Sequence, residues 1–264
     1  MLNFNKVFKE PREGPDGGAI VHDNFVYVQG LQRCATNSTR AYIWNLYNAG
    51  KLPGTMYQYK CRGHMPIRLC KKDSIIKKLK IGNIRNPYDF YISFYNFHYN
   101  TMPRSGFKGY FDSKISNASF KDFLYLALFK LNWQKFANEL DSRSYFDEQT
   151  WSAKNTLNVG LYTKRYINLF FNNAVNIINS WSIDKLKELH DEEFSMDIMC
   201  QVETLTNDIN RIFNISDNSE MVVVNASNHN EYNYSDYYDN ESSEWVKTQD
   251  GLILNRYNYA YNDV

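Results

Sequence analysis

Several features are scarce in this chain of 264 residues, and each scarcity excludes a class of protein. No apolar run approaches the ~18 residues that a helix needs to cross a bilayer. Only four cysteines occur, Cys34, Cys61, Cys70 and Cys200, scattered and without a C-x-x-C pair, so the sequence offers neither a disulfide framework nor a structural zinc site. Charge of one sign is lacking too. The 30 Lys and Arg are balanced by 29 Asp and Glu, which argues against a general nucleic-acid binder. Any anionic ligand must therefore be met by a few placed cations and not by a global field. No internal repeat and no clear linker interrupt the chain, whose length suits one domain with an ample core, residues 1–264. The first residues, MLNFNKVFKEPREGPDGG, lack the apolar stretch of a signal peptide, so a cytoplasmic protein is expected. The sequons at Asn37, Asn117 and Asn225 are then chance matches in an Asn-rich chain.

What is present is an alternation of strand, loop and helix signals. Residues 1–22 are polar, with Pro11, Gly14, Pro15, Gly17 and Gly18, and read as an irregular lead-in. Phe25-Val26-Tyr27-Val28 is β-rich and ends at Gly30. Thr36 or Ser38 can cap a helix that stops at Asn48-Ala49-Gly50. Further strands are expected over Met56–Tyr59, Lys80–Ile84 and Asp197–Val202. Asn86-Pro87 opens a helix running to about Tyr99, because proline is tolerated at the first helical position. Ser119 precedes a helix over Phe120–Leu131, and Leu161–Ile178 reads as one amphipathic helix. Another helix is expected over Thr204–Phe213, and one or two in the last 25 residues. The pattern predicts an α/β fold, with a central, mostly parallel sheet flanked by helices.

Three loop segments carry candidate chemistry. Gly30-Leu31-Gln32-Arg33-Cys34-Ala35-Thr36-Asn37 joins a buried strand to a helix, where backbone N–H groups and the helix dipole favour an anion. It is no Walker A loop, since Ala35 and Thr36 stand where Gly and Lys would be needed. Taken alone it reads equally as a plain strand-to-helix turn with a surface arginine. Arg62-Gly63-His64-Met65-Pro66 follows the second expected strand, beyond whose C-terminal end open α/β sheets put their ligands. Imidazole is the usual general base near neutral pH, although a lone histidine is more often a surface or satisfied core residue. Arg85-Asn86-Pro87-Tyr88-Asp89 ends the third strand, and Ser93 lies eight residues after Arg85, two turns into the helix. A guanidinium and a hydroxyl converging on one anion suit a phosphate monoester; the bland alternative is a helix cap with an ion pair.

Together these residues resemble the sulfotransferases that use 3′-phosphoadenosine 5′-phosphosulfate (PAPS). That family carries a P-[KR]-S-G-T-T-like loop for the 5′-phosphosulfate, matched by Gln32–Asn37, and an R-N-P-x-D-x-x-x-S element for the 3′-phosphate, matched from Arg85 to Ser93. Its cytosolic branch has a K-x-H-x-P segment about twenty residues before that arginine; here His64 stands 21 residues before Arg85. The resemblance is good over 24–104 and looser over 155–262, where Gly160–Tyr166 is similar to an S-x-x-Y helix start with Thr163 for Ser, and Val202–Leu205 to an E-x-L strand end. Cys34 and Ala35 replace the usual Ser and Gly, and Ser38 stands where cytosolic members have an aromatic against adenine, so adenine must be held otherwise.

The resemblance implies a P-loop-like sulfotransferase architecture and transfer of a sulfuryl group from PAPS to an acceptor hydroxyl or amine, leaving 3′-phosphoadenosine 5′-phosphate (PAP). His64, Arg33 and Arg62 would be catalytic: the base, the cation at the leaving oxygen, and a second cation on the transferring group. Arg33, Cys34, Ala35, Thr36, Asn37, Arg85, Ser93, Thr163, Tyr166 and Ser227 would bind the nucleotide. No metal is required, and no carboxylate cluster suggests one. The acceptor, a small molecule or a glycan, would meet the aromatic-rich segment 94–158, which reads equally as helical core. The competing readings are a catalytically inactive PAP- or glycan-binding module and, on the missing lysine, a less favoured P-loop phosphotransferase.

Overall fold

The computed structural model of the chain describes residues 9–12, 19–28, 30–31, 33–60, 66–69, 75, 77–97, 119–130, 157–216 and 233–261. They form an α/β fold in which a mixed sheet is covered by helices on both faces. Its strands are β1 (Lys9–Arg12), β2 (Ala19–His22), β3 (Phe25–Tyr27), β4 (Met56–Lys60), β5 (Leu79–Ile84) and β6 (Ile198–Gln201), in the spatial order β1-β4-β2-β3-β5-β6.

The lead-in is therefore not irregular throughout, because Lys9–Arg12 and Ala19–His22 are strands. Nor is the sheet mostly parallel among the described residues. β3 pairs with β5 and β5 with β6 in parallel, whereas β2–β3, β2–β4 and β1–β4 are antiparallel. The cause is a tight hairpin: Val21 pairs with Val26, so only Asp23-Asn24 links β2 to β3. Since β4 opposes β2 and β2 opposes β3, β4 runs in the same direction as β3, β5 and β6. All four of these strands end at one edge of the sheet, and the anion-binding candidates leave from that edge.

Alternation along β3 sorts its side chains between two cores. Phe25 and Tyr27 join Ile20, Ile81 and Cys200 under α1 (Thr36–Asn48), which contributes Tyr42, Ile43 and Leu46. Val26 and Val28 belong to the opposite core, beneath α2 (Pro87–Tyr95) with its fully buried Phe90, Tyr91 and Phe94. Burying each such ring contributes roughly 1.5–3 kcal/mol. α2 begins as expected, with Pro87 at its first position and the Asn86 side chain accepting from the Tyr88 N–H at 3.1 Å. α3 (Phe120–Tyr125) starts from a reciprocal cap between Ser119 and Asp122 and continues as a wider turn over Leu126–Lys130.

The expected helix over 161–178 is two helices, α4 (Leu161–Phe170) and α5 (Ala174–Ser180). Phe171 turns extended, its N–H still bound to Ile167, and forms an isolated bridge to Phe194. α6 (Ile183–Glu188) and α7 (His190–Glu193) lead to β6, after which α8 (Leu205–Ile212) covers the face already shared by α1. Tyr42 of α1 donates to Asn210 of α8 at 2.6 Å. α9 (Asn240–Gln249) and α10 (Gly251–Tyr257) complete the opposite layer. Among the described residues no helix is long and apolar enough to cross a membrane, and no three His, Cys, Asp or Glu side chains gather as metal ligands.

Candidate functional site

The loop after β3 is shaped by close approach and by backbone handedness. The Val28 N–H still donates to Ile81 O at 2.8 Å, and the chain then turns at Gly30. A Cβ on Gly30 would lie 2.4 Å from Cζ of Phe170, a ring with no exposed surface, so only glycine fits without displacing the core. Gly30→Ala is expected to lower stability by roughly 1–3 kcal/mol, the usual cost of overpacking. Urea denaturation checks this, and the loss should shrink in Gly30→Ala/Phe170→Leu, where the ring is gone; an unchanged midpoint for Gly30→Ala would contradict the close approach.

Two non-glycine residues further along have left-handed backbone, Arg33 (φ 62°) and Ala35 (φ 51°, ψ 22°), on either side of Cys34. Each costs about 1–2 kcal/mol. Ala35 is also the residue that replaces the glycine of the resembled loop, so that replacement carries real strain. Alternating handedness is the backbone pattern that can turn successive N–H groups to one side, as in anion nests. The loop leads into α1, where Ala35 provides no side-chain cap and no acidic residue occupies the first turn. Asn37 is exposed there, Thr36 is nearly buried, and Ser38 is only 2 % exposed, too enclosed to stack on a base.

Two buried side chains fix the loop from below. Asn83 of β5, with no exposed surface, donates from Nδ2 to Cys34 O at 2.9 Å and to Thr39 Oγ1 at 2.7 Å. The Tyr162 hydroxyl of α4 donates to Arg85 O and accepts from the Arg85 N–H, both at 2.9 Å, and lies 3.5 Å from Cys34 Sγ. Burial pushes the Cys34 thiol up to about 12, so the thiol stays neutral and the residue serves the loop through its backbone.

The two arginines meet above this base. Arg85, at the end of β5, donates from Nη1 to the Arg33 carbonyl at 3.1 Å, and its Nη2 lies 3.6 Å from Asp89 one turn into α2. Its Nε is buried and has no hydrogen-bond partner among the described residues. Arg33 in turn donates from Nε to Ser93 Oγ at 3.1 Å. Glu203, at the end of β6, accepts from the Asn86 N–H at 2.9 Å and from the Tyr259 hydroxyl at 3.0 Å, while Asn86 Nδ2 donates to Ala260 O at 2.9 Å. The C-terminal segment is thereby clasped to the Arg85 corner.

Of the residues singled out in the sequence, Arg33, Cys34, Ala35, Thr36, Arg85 and Ser93 are thus brought to one edge of the sheet. Thr163 and Tyr166 are not brought there. Every residue of α4 is buried, and both hydroxyls are engaged in the interior. Thr163 donates to Asp250, and Tyr166 shares hydrogen bonds with His190 and Tyr257. Arg62, His64 and Ser227 lie outside the described residues, as does most of 94–158. β4 nevertheless ends at Lys60 on the same edge as β3 and β5.

Asn83, Tyr162 and Glu203 act at the site without having been singled out as site residues. Their signals in the sequence are slight: Asn83 is a lone amide inside the apolar run Ile81-Gly82-Asn83-Ile84, and Glu203 falls in the E-x-L-like segment Val202–Leu205. Chemically the edge gathers positive charge that suits an anion: two guanidinium groups and the uncapped start of a 13-residue helix lie at it, with the fully buried Ser93 hydroxyl behind Arg33. No family model, no curated protein and no solved structure matches the chain.

Proposed function

We propose that the chain is a sulfotransferase that moves a sulfuryl group from PAPS to a hydroxyl or amine of a small-molecule or glycan acceptor. The observation that carries the reading is the junction of Arg33, Arg85 and Ser93 at the start of α1. Backbone amides of residues 34–37, with Thr36, suit the 5′-phosphate. The Arg85 guanidinium, whose Nε has no hydrogen-bond partner among the described residues, and the Ser93 hydroxyl suit the 3′-phosphate, in keeping with the resemblance. In this reading the acceptor oxygen forms a bond to sulfur as the bond from sulfur to the bridging oxygen of the 5′-phosphate breaks. His64 takes the acceptor proton, the electron pair stays on the phosphate of departing PAP, and Arg33 faces the charge that develops there. Arg62 steadies the transferring group. Fixed donors aimed at developing charge can contribute several kcal/mol. Arg62, His64 and the acceptor's identity enter from the sequence resemblance alone, and a cytoplasmic location is part of the same proposal.

The test is nucleotide selectivity. PAP should raise the melting temperature without magnesium, and more than adenosine 5′-phosphate does. Losing a charge-assisted bond to a buried phosphate costs roughly 1.5–3 kcal/mol, so Arg85→Ala should weaken PAP binding by ~10- to 150-fold. Arg85 also supports the Arg33 carbonyl, so the diagnostic quantity is the ratio between nucleotides in calorimetric titrations. Equal losses for PAP and adenosine 5′-phosphate would show that Arg85 does not read the 3′-phosphate.

A further inference from the structure

We infer that Phe97 is a positioning residue that holds the Arg33 guanidinium in its working orientation; the inference rests on the sulfotransferase reading above. The Arg33 Cζ lies 4.3 Å from the centroid of the Phe97 ring, well within the range of a cation–π interaction. The same guanidinium donates from Nε to Ser93 Oγ at 3.1 Å. Ser93 and Phe97 are four residues apart, and the residue after α2, Asn96, keeps helical backbone at φ −60° and ψ −41°. The two side chains therefore follow one another on one helical face and both contact the same guanidinium, Ser93 at Nε and the Phe97 ring at Cζ.

The arrangement has a chemical reason. Arg33 stands on a strained turn, and its stem has three methylene groups whose rotation would let the cation wander. The hydrogen bond through Nε holds the group at one edge, and the ring 4.3 Å from Cζ adds a second restraint on the cation. Lysine could keep the charge but could not both donate from an Nε–H to Ser93 and keep its delocalised cation over the ring, so the pair of contacts favours arginine at position 33. Asn96 Nδ2 donates to the Tyr237 hydroxyl at 3.0 Å, which anchors the turn that carries Phe97 to the C-terminal layer.

The experiment is a double-mutant cycle read by calorimetric PAP binding, with Phe97→Leu, Arg33→Ala and the double variant, and Phe97→Trp as the conservative replacement. Phe97→Leu should weaken PAP binding by roughly three- to thirty-fold, the span of a cation–π contact between exposed and desolvated settings. Phe97→Trp, which keeps a ring, should stay within about threefold of the parent. In the Arg33→Ala background the Phe97→Leu change should have no further effect. The Arg33 Nε–H proton resonance provides a second readout: a ring over the guanidinium shifts it upfield, and the shift should vanish in Phe97→Leu. A Phe97→Leu loss that persists undiminished without Arg33, as expected of a ring that lines the acceptor's path or merely supports the fold, overturns the inference, as does parental binding by Phe97→Leu. Failure of the parent protein to prefer PAP over adenosine 5′-phosphate would instead overturn the sulfotransferase reading, and the inference with it.

Discussion

His64→Ala is expected to lower sulfuryl transfer by roughly 10²- to 10⁴-fold while leaving PAP affinity within a few-fold. An acceptor hydroxyl has a high pKa and attacks poorly unless its proton leaves as the bond to sulfur forms. In-line displacement requires that base on the side opposite the leaving oxygen. In the proposed reading Arg33 marks the leaving side, and the segment after β4 starts from the same edge of the sheet. The described histidines are poor rivals. His22 stands where β2 turns into β3, at the opposite end of the sheet, stacked on Phe25 with ring centroids 4.7 Å apart. His190 is 2 % exposed, with Nδ1 3.0 Å from Asp191 and Nε2 3.0 Å from the Tyr166 hydroxyl, and burial pushes it down to about 4. His98 and His229 lie outside the described residues; by sequence His229 falls in a polar loop, which leaves His98 as the competitor. The measurement is turnover of PAPS with an acceptor found by screening, beside PAP titration of each variant. An active His64→Ala protein next to an inactive His98→Ala protein would move the base to His98; lost PAP binding in His64→Ala would make the residue structural.

The second large effect is on stability against pH. Asp250 has no exposed surface, and its carboxylate joins three helices. Oδ1 accepts from the Thr163 N–H at 2.9 Å and from Thr163 Oγ1 at 2.7 Å, and Oδ2 accepts from the Tyr91 hydroxyl at 2.6 Å. Burial outweighs these three hydrogen bonds and raises the carboxyl from its ordinary 3.8 to about 6. The folded chain therefore holds this proton more tightly than the unfolded one. The group's contribution is fully present below about pH 4 and is lost as pH rises through about 6, a change of roughly 3 kcal/mol. Asparagine resembles the protonated acid and does not titrate. Relative to Asp250→Asn, the parent should thus lose roughly 2–2.5 kcal/mol of unfolding free energy between pH 4 and pH 7. Denaturant titrations of both proteins at the two pH values give this difference, in which groups common to both cancel. A difference that stays constant would mean that the carboxyl ionises as easily inside the fold as outside it.

Local chemistry made some of the fold readable from the residues. Asn86-Pro87 announced the start of α2 because a capping amide and a ring-locked φ act within two residues. Lys80–Ile84 read as a strand because its apolar run is short and bounded. What escaped was pairing. The sequence Ala19-Ile20-Val21-His22-Asp23-Asn24-Phe25-Val26-Tyr27 contains two short β-rich runs with a two-residue link, but it follows a glycine- and proline-rich stretch that masked the hairpin. The break at Phe171 escaped for a related reason: apolar periodicity continues across Asn172-Asn173, while the backbone stops there to reach Phe194. At the site, Arg33, Arg85 and Ser93 were legible because charge and spacing are properties of the chain. Asn83 and Tyr162 were hardly so, since their partners are backbone atoms of Cys34 and Arg85, distant in sequence and brought near only by folding.

The antiparallel β2 also acts as a spacer. It lies between β3 and β4, so the loop after β3 and the segment that leads on to His64 leave the sheet two interstrand steps apart, about 10 Å. Strands paired directly would start those two segments only about 5 Å apart, pressing an imidazole toward the arginine and the phosphate it serves. In the proposed sulfotransferase reading, twice that distance leaves room for a trigonal sulfur between two oxygens, with a nucleotide on one wall and an acceptor on the other, so the width of one extra strand would set the width of the cleft.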